Sequence, residues 1–156
     1  MKLEEAFSGC KTKRGILWSF DGVNKEASQQ NQPFDWTKHL SGEIIQGLSP
    51  VDLKTGEVKW LGLDVDLKRK PEEICKKIFE EIGTEYFCYR TMGGKWRVVE
   101  HLSDTMGVEE AQQRAKDLEK KVEGIGYKCD AEKTLPQSFN LSEEKPGAWW
   151  FMPCLL

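Results

Sequence analysis

The sequence predicts an α+β fold, in which a four-stranded sheet carries two helices on one of its faces. Three observations predict this class. Apolar and polar residues alternate strictly at 61–66, amphipathic segments follow at 71–83 and 107–124, and an aromatic hairpin at 85–102 separates these two segments. A chain of 156 residues, of which 38% are hydrophobic, is long enough to bury such a core without disulfides or metals.

The first regular element is a strand over 57–66, which the strict alternation at its end predicts. Successive side chains of a strand point to opposite faces, so Leu63 and Val65 share one face and Asp64 and Asp66 share the other. The apolar face is expected to pack against the helices. The two aspartates are then expected on the opposite face, which the helices leave open.

A helix is predicted over 71–83, directly after this strand. Pro71 suits the first position of a helix, and acidic residues follow it in the first turn, where the helix dipole favours them. Ile78 and Ile82 are spaced so that they lie on one face of the helix. Gly83 is typical of the residue that ends a helix.

Two strands, 85–91 and 96–102, flank a turn with two glycines and are predicted to form a hairpin. A long helix is predicted over 107–124, where apolar residues recur at intervals of three and four, and a last strand over 127–130. The order over 57–132 is therefore β-α-β-β-α-β, which is the ferredoxin-like (RRM-like) order. In such a sheet the strands lie in the spatial order 4-1-3-2.

We therefore expect one domain with three parts: an N-terminal loop-rich α/β extension (1–56), a ferredoxin-like half (57–132) and a C-terminal segment (133–156). Within the extension, the stretch 19–33 is polar and rich in turn-forming residues, which predicts a mobile connection. A short helix is predicted over 34–40, with Asp35 or Thr37 as its N-cap.

Composition excludes several classes of protein. The chain has 23 Lys plus Arg against 26 Asp plus Glu, a net charge of −3, so it contains no strongly basic nucleic-acid-binding arm. No stretch approaches the ~18 apolar residues of a membrane span, and no apolar signal segment is predicted. The five cysteines include no C-x-x-C pair, so reduced thiols are expected rather than a zinc knuckle. These features predict a cytoplasmic protein with no membrane partner.

The pair Asp64 and Asp66 is the strongest local indication of a functional site. Two carboxylates on one face of a strand repel each other unless a cation bridges them, and they suit Mg²⁺ or Mn²⁺. In the predicted strand order, the end of the first strand lies beside the beginnings of the third and fourth strands. Lys95, Arg97 and Asp130 are therefore expected near the pair.

Asp130 and Glu132 are alternative third carboxylates, because they lie two residues apart and share a face. Three carboxylates and a cation are the grouping that metal-assisted nucleotidyl transfer requires. The same open face could instead belong to a non-catalytic module that binds single-stranded nucleic acid, or to an interaction protein with a solvated acidic pair. Dependence on a divalent metal separates these three alternatives.

An ordered set of short motifs also resembles a known family. The set comprises His39-Leu40-x-Gly42, Gly47-Leu48-Ser49-Pro50, Asp64-Val65-Asp66, Arg90-Thr91-Met92-Gly93-Gly94, Asp130, Thr134-Leu135-Pro136-Gln137, Lys145-Pro146-Gly147 and Trp150-Phe151-Met152-Pro153. In this order, the motifs resemble the archaeo-eukaryotic primase superfamily, especially the primase–polymerases of phages and mobile elements. The resemblance runs from His39 to Pro153.

The resemblance implies a primase catalytic core that performs template-directed nucleotidyl transfer in phage or mobile-element DNA replication, as a primase or DNA polymerase, with two Mg²⁺ or Mn²⁺ ions. The site residues that it implies are Asp64, Asp66 and Asp130 as catalytic metal ligands, with Glu132 as the competing third ligand, and Arg97, Lys95 and His39 as nucleotide contacts. Arg97 stands where the family usually has a histidine that contacts the triphosphate. Arginine keeps its charge and can bind phosphate bidentately.

The resemblance also implies the partners of the protein. These are a single-stranded DNA template, NTP or dNTP, and either a helicase or a missing C-terminal polymerase partner. The expected location is the cytoplasm, which is the host cell cytoplasm if the protein is viral.

Overall fold

The computed structural model describes residues 3–66, 71–83, 86–130, 135–136 and 150–152. Its elements in chain order are α1 (Leu3–Ala6), β1 (Arg14–Phe20), β2 (Lys25–Gln30), α2 (Trp36–Leu40), β3 (Ile45–Leu48), β4 (Val51–Asp52), β5 (Glu57–Val65), α3 (Pro71–Glu81), β6 (Tyr86–Arg90), β7 (Trp96–Gly107), α4 (Val108–Gly124), β8 (Cys129–Asp130) and β9 (Trp150–Phe151). The strands pair into two antiparallel sheets. Helices together with antiparallel sheets confirm the predicted α+β class.

The larger sheet has the strand order β4-β5-β7-β6, and β8 pairs with β5. Near its end, β5 therefore lies between β7 and β8, which are the neighbours predicted for this strand. β6 pairs with β7. β7 continues to Gly107, beyond the predicted end at Leu102, because its second half pairs with the first residues of β5.

Helices cover one face of this sheet. Leu61, Leu63 and Val65 of β5 are fully buried in a core that also contains Ile78 of α3. The apolar stripe of α4 lies in the same core and comprises Val108, Ala111, Ala115, Leu118 and Val122. The alternation at the end of β5 therefore directs its apolar residues toward the helices, as predicted.

The N-terminal part of the chain forms most of a second, smaller sheet with the strand order β2-β1-β3-β9. The expectation that 19–33 is a mobile connection is wrong, because this stretch contains the end of β1 and all of β2. β2 is the edge strand of the sheet, and its side chains are nearly all exposed. Apart from Ala27, its residues are therefore polar, and they lack the alternation that indicates a half-buried strand, although its backbone pairs with β1 throughout.

The face of the larger sheet opposite the helices is not open along its whole length, which corrects a second expectation. On this face, Trp60 and Val99 are buried in a second core with Leu48 and Trp150 of the smaller sheet. The two sheets approach each other closely at Gly62, where an added Cβ would lie 2.9 Å from the Trp150 ring. Beyond this contact, the end of β5 lines a solvent-accessible cleft.

The short helix predicted over 34–40 is α2. Asp35 is its N-cap, and its Oδ1 accepts a hydrogen bond from the backbone N–H of Lys38 at 3.0 Å. The structure thus decides between the two predicted caps, Asp35 and Thr37, in favour of the aspartate. Thr37 lies inside the helix.

Some predicted features lie outside the described residues. They include Glu132, the competing third carboxylate, and the motif at 145–147. None of the helices in the described part of the chain combines the length and the apolar character that a membrane span requires.

Candidate active site

Four side chains form a row across the larger sheet. Asp64 of β5 is the register partner of Asp130 in β8 and of Arg97 in β7, and Arg97 is the partner of Tyr89 in β6. Residues directly opposite each other in antiparallel strands project from the same face. The fold therefore brings Asp64, Arg97 and Asp130 together on the face opposite the helices, as the topology predicted.

Arg97 connects this row to the smaller sheet. Its Nε donates to Asp64 Oδ1 at 2.7 Å, and its Nη1 donates to the backbone oxygen of Phe151 in β9 at 3.0 Å. The guanidinium also lies 4.4 Å from the ring centroid of Trp150, a cation–π contact. With only 9% of its surface exposed, Arg97 orients Asp64 and joins the two sheets.

Tyr89 completes the row beside Arg97. Nη1 of Arg97 lies 3.4 Å from the Tyr89 hydroxyl oxygen, which accepts its hydrogen bond. Burial raises the pKa of Tyr89, and the neighbouring guanidinium offsets only part of this effect. The hydroxyl therefore stays neutral near pH 7 and serves as a polar contact rather than as a base.

Asp66 lies just beyond β5 and forms an ion pair with Lys95, which precedes β7. Its backbone N–H donates to Lys128 O at 2.9 Å, which extends the pairing between β5 and β8 by one step. The repulsion between Asp64 and Asp66 predicted a bridging cation. In this structure, protein cations supply that compensation, because Arg97 pairs with one aspartate and Lys95 with the other.

Asp64 lines a cleft of about 670 Å³, to which both sheets contribute. The cationic residues of its lining are Lys25, Arg90, Lys95 and Arg97. Among the described lining residues, Asp64 is the acidic one, so the cleft is locally positive although the net charge of the chain is −3. Phe20, Met92 and Phe151 add apolar surface. This combination suits an anionic ligand that also has a flat apolar part.

Sequence reasoning missed two of these cations. Arg90 belongs to a motif of the family resemblance, but no role was predicted for it, and its place directly before the glycine turn was the available signal. Lys25 belongs to the stretch that was expected to be a mobile connection. β2 brings it into the cleft, where its Nζ lies 6.0 Å from the ring centroid of Phe151. No local pattern in the sequence indicated this position.

His39, which the resemblance implied as a nucleotide contact, is fully buried in this structure. Its Nδ1 accepts a hydrogen bond from the backbone N–H of Gln46 at 3.1 Å. Its ring packs against Phe34 and Trp36, at centroid distances of 5.1 and 6.2 Å. His39 is not among the described residues that line the cleft, and its contact with a nucleotide stays a prediction.

The aspartates offer the ligand types of a divalent-cation site. The side chains of Asp64 and Asp66 are 36% and 41% exposed, so their oxygens are accessible, and carboxylate oxygens suit Mg²⁺ and Mn²⁺. The carboxylates of Asp64, Asp66 and Asp130 are therefore of the ligand type that such ions take. Among the described residues, however, the three potential ligand atoms within 4.8 Å of one another are those of Glu119, Glu123 and Cys129. The oxygens of Asp64, Asp66 and Asp130 are not in such a group in this conformation, so a metal would have to draw these carboxylates closer together.

The group formed by Glu119, Glu123 and Cys129 lies where α4 meets β8. Burial raises the pKa of Cys129 to about 12, and the two nearby carboxylates act in the same direction. The thiol is therefore protonated at neutral pH, and it donates to the backbone oxygen of Glu119 at 3.6 Å. The proximity of these three side chains is therefore explained by a buried, protonated thiol that is hydrogen-bonded to the backbone of α4.

The chain was also compared with known proteins. No protein-family model matches it, and no curated protein matches it either. The assignment of a function therefore depends on the motifs of the chain and on the geometry of the cleft.

Proposed function

We propose that this chain is a nucleotidyltransferase of the primase–polymerase type, which extends a strand on a single-stranded DNA template from NTP or dNTP. The row formed by Asp130, Asp64 and Arg97, with Asp66 beside it, is the observation that carries the proposal. It combines carboxylates for divalent ions with a positively charged cleft for a triphosphate. The expected family is the archaeo-eukaryotic primase superfamily.

The strand arrangement supports the ferredoxin-like half of such a catalytic core. From β5 to β8 the elements follow the order β-α-β-β-α-β, and the spatial order is β8-β5-β7-β6. This order supports the proposed ferredoxin-like half, to which β4 adds a further strand paired with the beginning of β5. The smaller sheet then forms the other wall of the proposed nucleotide cleft.

In this proposal, different residues bind the phosphates and orient the metal-binding carboxylates. Arg90 and Lys95 lie on the exposed hairpin beside the cleft and are positioned to bind phosphate oxygens. Arg97 holds Asp64 in its orientation through the hydrogen bond from its Nε, and it faces the same cleft, where it would add to the positive charge that a triphosphate meets. Two divalent ions held by the three aspartates would supply Lewis-acid stabilisation of the charge that develops on the transferred phosphate.

A specific observation favours a second candidate, a module of the same fold that binds single-stranded nucleic acid without catalysis. Arg97 and Lys95 already neutralise the two aspartates, so the cleft is cationic without any metal. Such a cleft can attract phosphates electrostatically. Metal dependence distinguishes the two candidates.

The test is nucleotide incorporation on primed and unprimed single-stranded DNA, with NTP and with dNTP. The wild-type protein is expected to incorporate nucleotide with Mg²⁺ or Mn²⁺ and to stop in EDTA. Asp66→Asn is expected to reduce incorporation to the level of the EDTA control, because it removes a proposed metal ligand while leaving the buried residues untouched.

Asp104→Asn is the matched control, because Asp104 is an exposed carboxylate in the second half of β7, away from Arg97. It should retain wild-type incorporation. Undiminished incorporation by Asp66→Asn would contradict the metal role. Single-stranded DNA binding that is equal in EDTA and in Mn²⁺, with no incorporation in either, would favour the binding module.

A further inference from the structure

The two ion pairs of the candidate site differ in how firmly the protein holds their cations. Arg97 is held by Asp64, by the Phe151 carbonyl and by the Trp150 ring, and it is nine-tenths buried. The side chain of Lys95 is 49% exposed, and within the described part of the chain its ammonium pairs with Asp66. Lys95 can therefore leave its aspartate without disturbing the packing, whereas Arg97 cannot.

We propose that Lys95 is a displaceable counter-cation of Asp66, which a divalent ion replaces, so that metal binding releases the lysine to a polyphosphate in the cleft. This inference rests on the proposed role of Asp66 as a metal ligand and specifies how that site is regulated. Without metal, the lysine keeps the carboxylate neutralised. With metal, the same lysine is free for an anionic substrate.

The exposure of the pair makes this exchange feasible. An ion pair open to solvent on both sides contributes little free energy, because water screens it and two flexible side chains must be ordered. A divalent ion offers the carboxylate twice the charge at a shorter distance. The exchange therefore costs little folding free energy. The divalent ion can displace Lys95 from Asp66 while Arg97 continues to orient Asp64.

Release of Lys95 couples the two ligands of the cleft. Lys95 lines the cleft together with Arg90, so a free ammonium adds to the positive charge that a polyphosphate meets. Coupling between two binding equilibria is reciprocal. Polyphosphate should thus draw Lys95 away from Asp66 and strengthen metal binding, beyond any contact between the metal and the polyphosphate.

Two variants distinguish the effect of the ion pair on metal binding from the effect of the general positive charge of the cleft. Lys95→Met removes the cation that pairs with Asp66, whereas Arg90→Met removes an exposed cation of the same hairpin that also lines the cleft. Mn²⁺ alone is titrated into each protein, by calorimetry and by the paramagnetic resonance signal of the free ion. We expect Lys95→Met to bind Mn²⁺ about two- to fivefold more tightly than Arg90→Met, which is the range that an exposed ion pair supports.

A second titration uses inorganic tripolyphosphate, with and without saturating Mn²⁺. Lys95→Met should weaken tripolyphosphate binding relative to the wild type only when Mn²⁺ is present, because the lysine is engaged by Asp66 otherwise. Arg90→Met should weaken it under both conditions. This difference in metal dependence is the signature of a displaceable lysine.

The outcomes of these titrations are distinguishable. Mn²⁺ binding that tightens equally in both variants, or tripolyphosphate binding that Lys95→Met weakens equally with and without metal, would overturn this inference and leave the proposed function standing. Absence of any Mn²⁺ binding to the wild type would overturn the proposed function and, with it, this inference. Thermal melting of each variant verifies that it is folded.

Discussion

Arg97 shows how one side chain can serve both the stability and the site of this protein. Its guanidinium reaches Asp64 in the same sheet and the Phe151 carbonyl in the other sheet. The family resemblance places a nucleotide contact at this position. The contacts in the structure give Arg97 a positioning role toward Asp64, and its contact with a nucleotide stays a prediction, because the side chain also lines the cleft.

The two aspartates of the pair should therefore differ in their effect on stability. In metal-free buffer, Asp64→Ala leaves the largely buried Arg97 without its carboxylate, so the free energy of unfolding should fall by about 1 to 3 kcal/mol. Asp66→Ala removes an exposed partner of Lys95, and the free energy of unfolding should change by no more than about 1 kcal/mol. Urea unfolding of both variants measures the difference. Equal losses would contradict the distinction between a buried and an exposed ion pair.

α4 is the element whose sequence pattern corresponds most directly to its packing. Its stripe of apolar residues recurs at intervals of three and four, and every member of the stripe is buried against the larger sheet. Most of the charged residues between them are exposed, as at Lys116. The burial of this one apolar face, from Val108 to Val122, therefore fixes the position of the helix on the sheet.

Removal of one side chain from this stripe should be costly. Leu118→Ala is expected to lower the free energy of unfolding by about 2 to 5 kcal/mol, because it removes buried apolar surface and leaves a cavity. Lys116→Ala, on the exposed side of the same helix, should change it by no more than about 0.5 kcal/mol. Denaturant unfolding followed by circular dichroism compares the two. A loss below 1 kcal/mol for Leu118→Ala would contradict the assigned packing of α4.

The whole molecule depends on close contact between its two sheets, because the cleft has one wall in each. Gly62 lies at this contact, where an added Cβ would be 2.9 Å from the Trp150 ring and 3.1 Å from the Val98 oxygen. Glycine is needed here for lack of space, since its φ does not fall in the left-handed region. A methyl group at this position would displace Trp150 and with it the face on which Arg97 packs.

Gly62→Ala should therefore destabilise the protein by about 1 to 3 kcal/mol, the usual cost of overpacking a core. Gly124→Ala is the matched control, because a Cβ there meets nothing within 4 Å and Gly124 ends α4. This control should leave the free energy of unfolding unchanged or raise it by up to about 1 kcal/mol. Thermal unfolding of both variants measures this difference in stability. A neutral Gly62→Ala would mean that the sheets can separate slightly at no cost.

The sequence was informative wherever an element has one buried and one exposed face. Alternation at the end of β5 correctly predicted that Asp64 lies on the face opposite the helices, and the element order correctly predicted β7 and β8 as the neighbours of β5. The helical periodicity of α4 predicted its buried stripe. These patterns are local, because burial of one face constrains every second residue of a strand and every third or fourth residue of a helix.

The strands β2 and β9 of the smaller sheet show no such local pattern in the sequence. β2 is polar apart from Ala27 because it is an exposed edge strand. β9 pairs with β3 through residues such as Leu48 and Trp150, which are far apart in the chain. Lys25 enters the cleft, and Arg97 reaches the Phe151 carbonyl, only because the two sheets pack together. Local periodicity therefore identified the carboxylates that share a face. The packing of distant segments placed the cations and the apolar wall around them, because such contacts depend on the whole chain and leave no pattern in a short stretch of sequence.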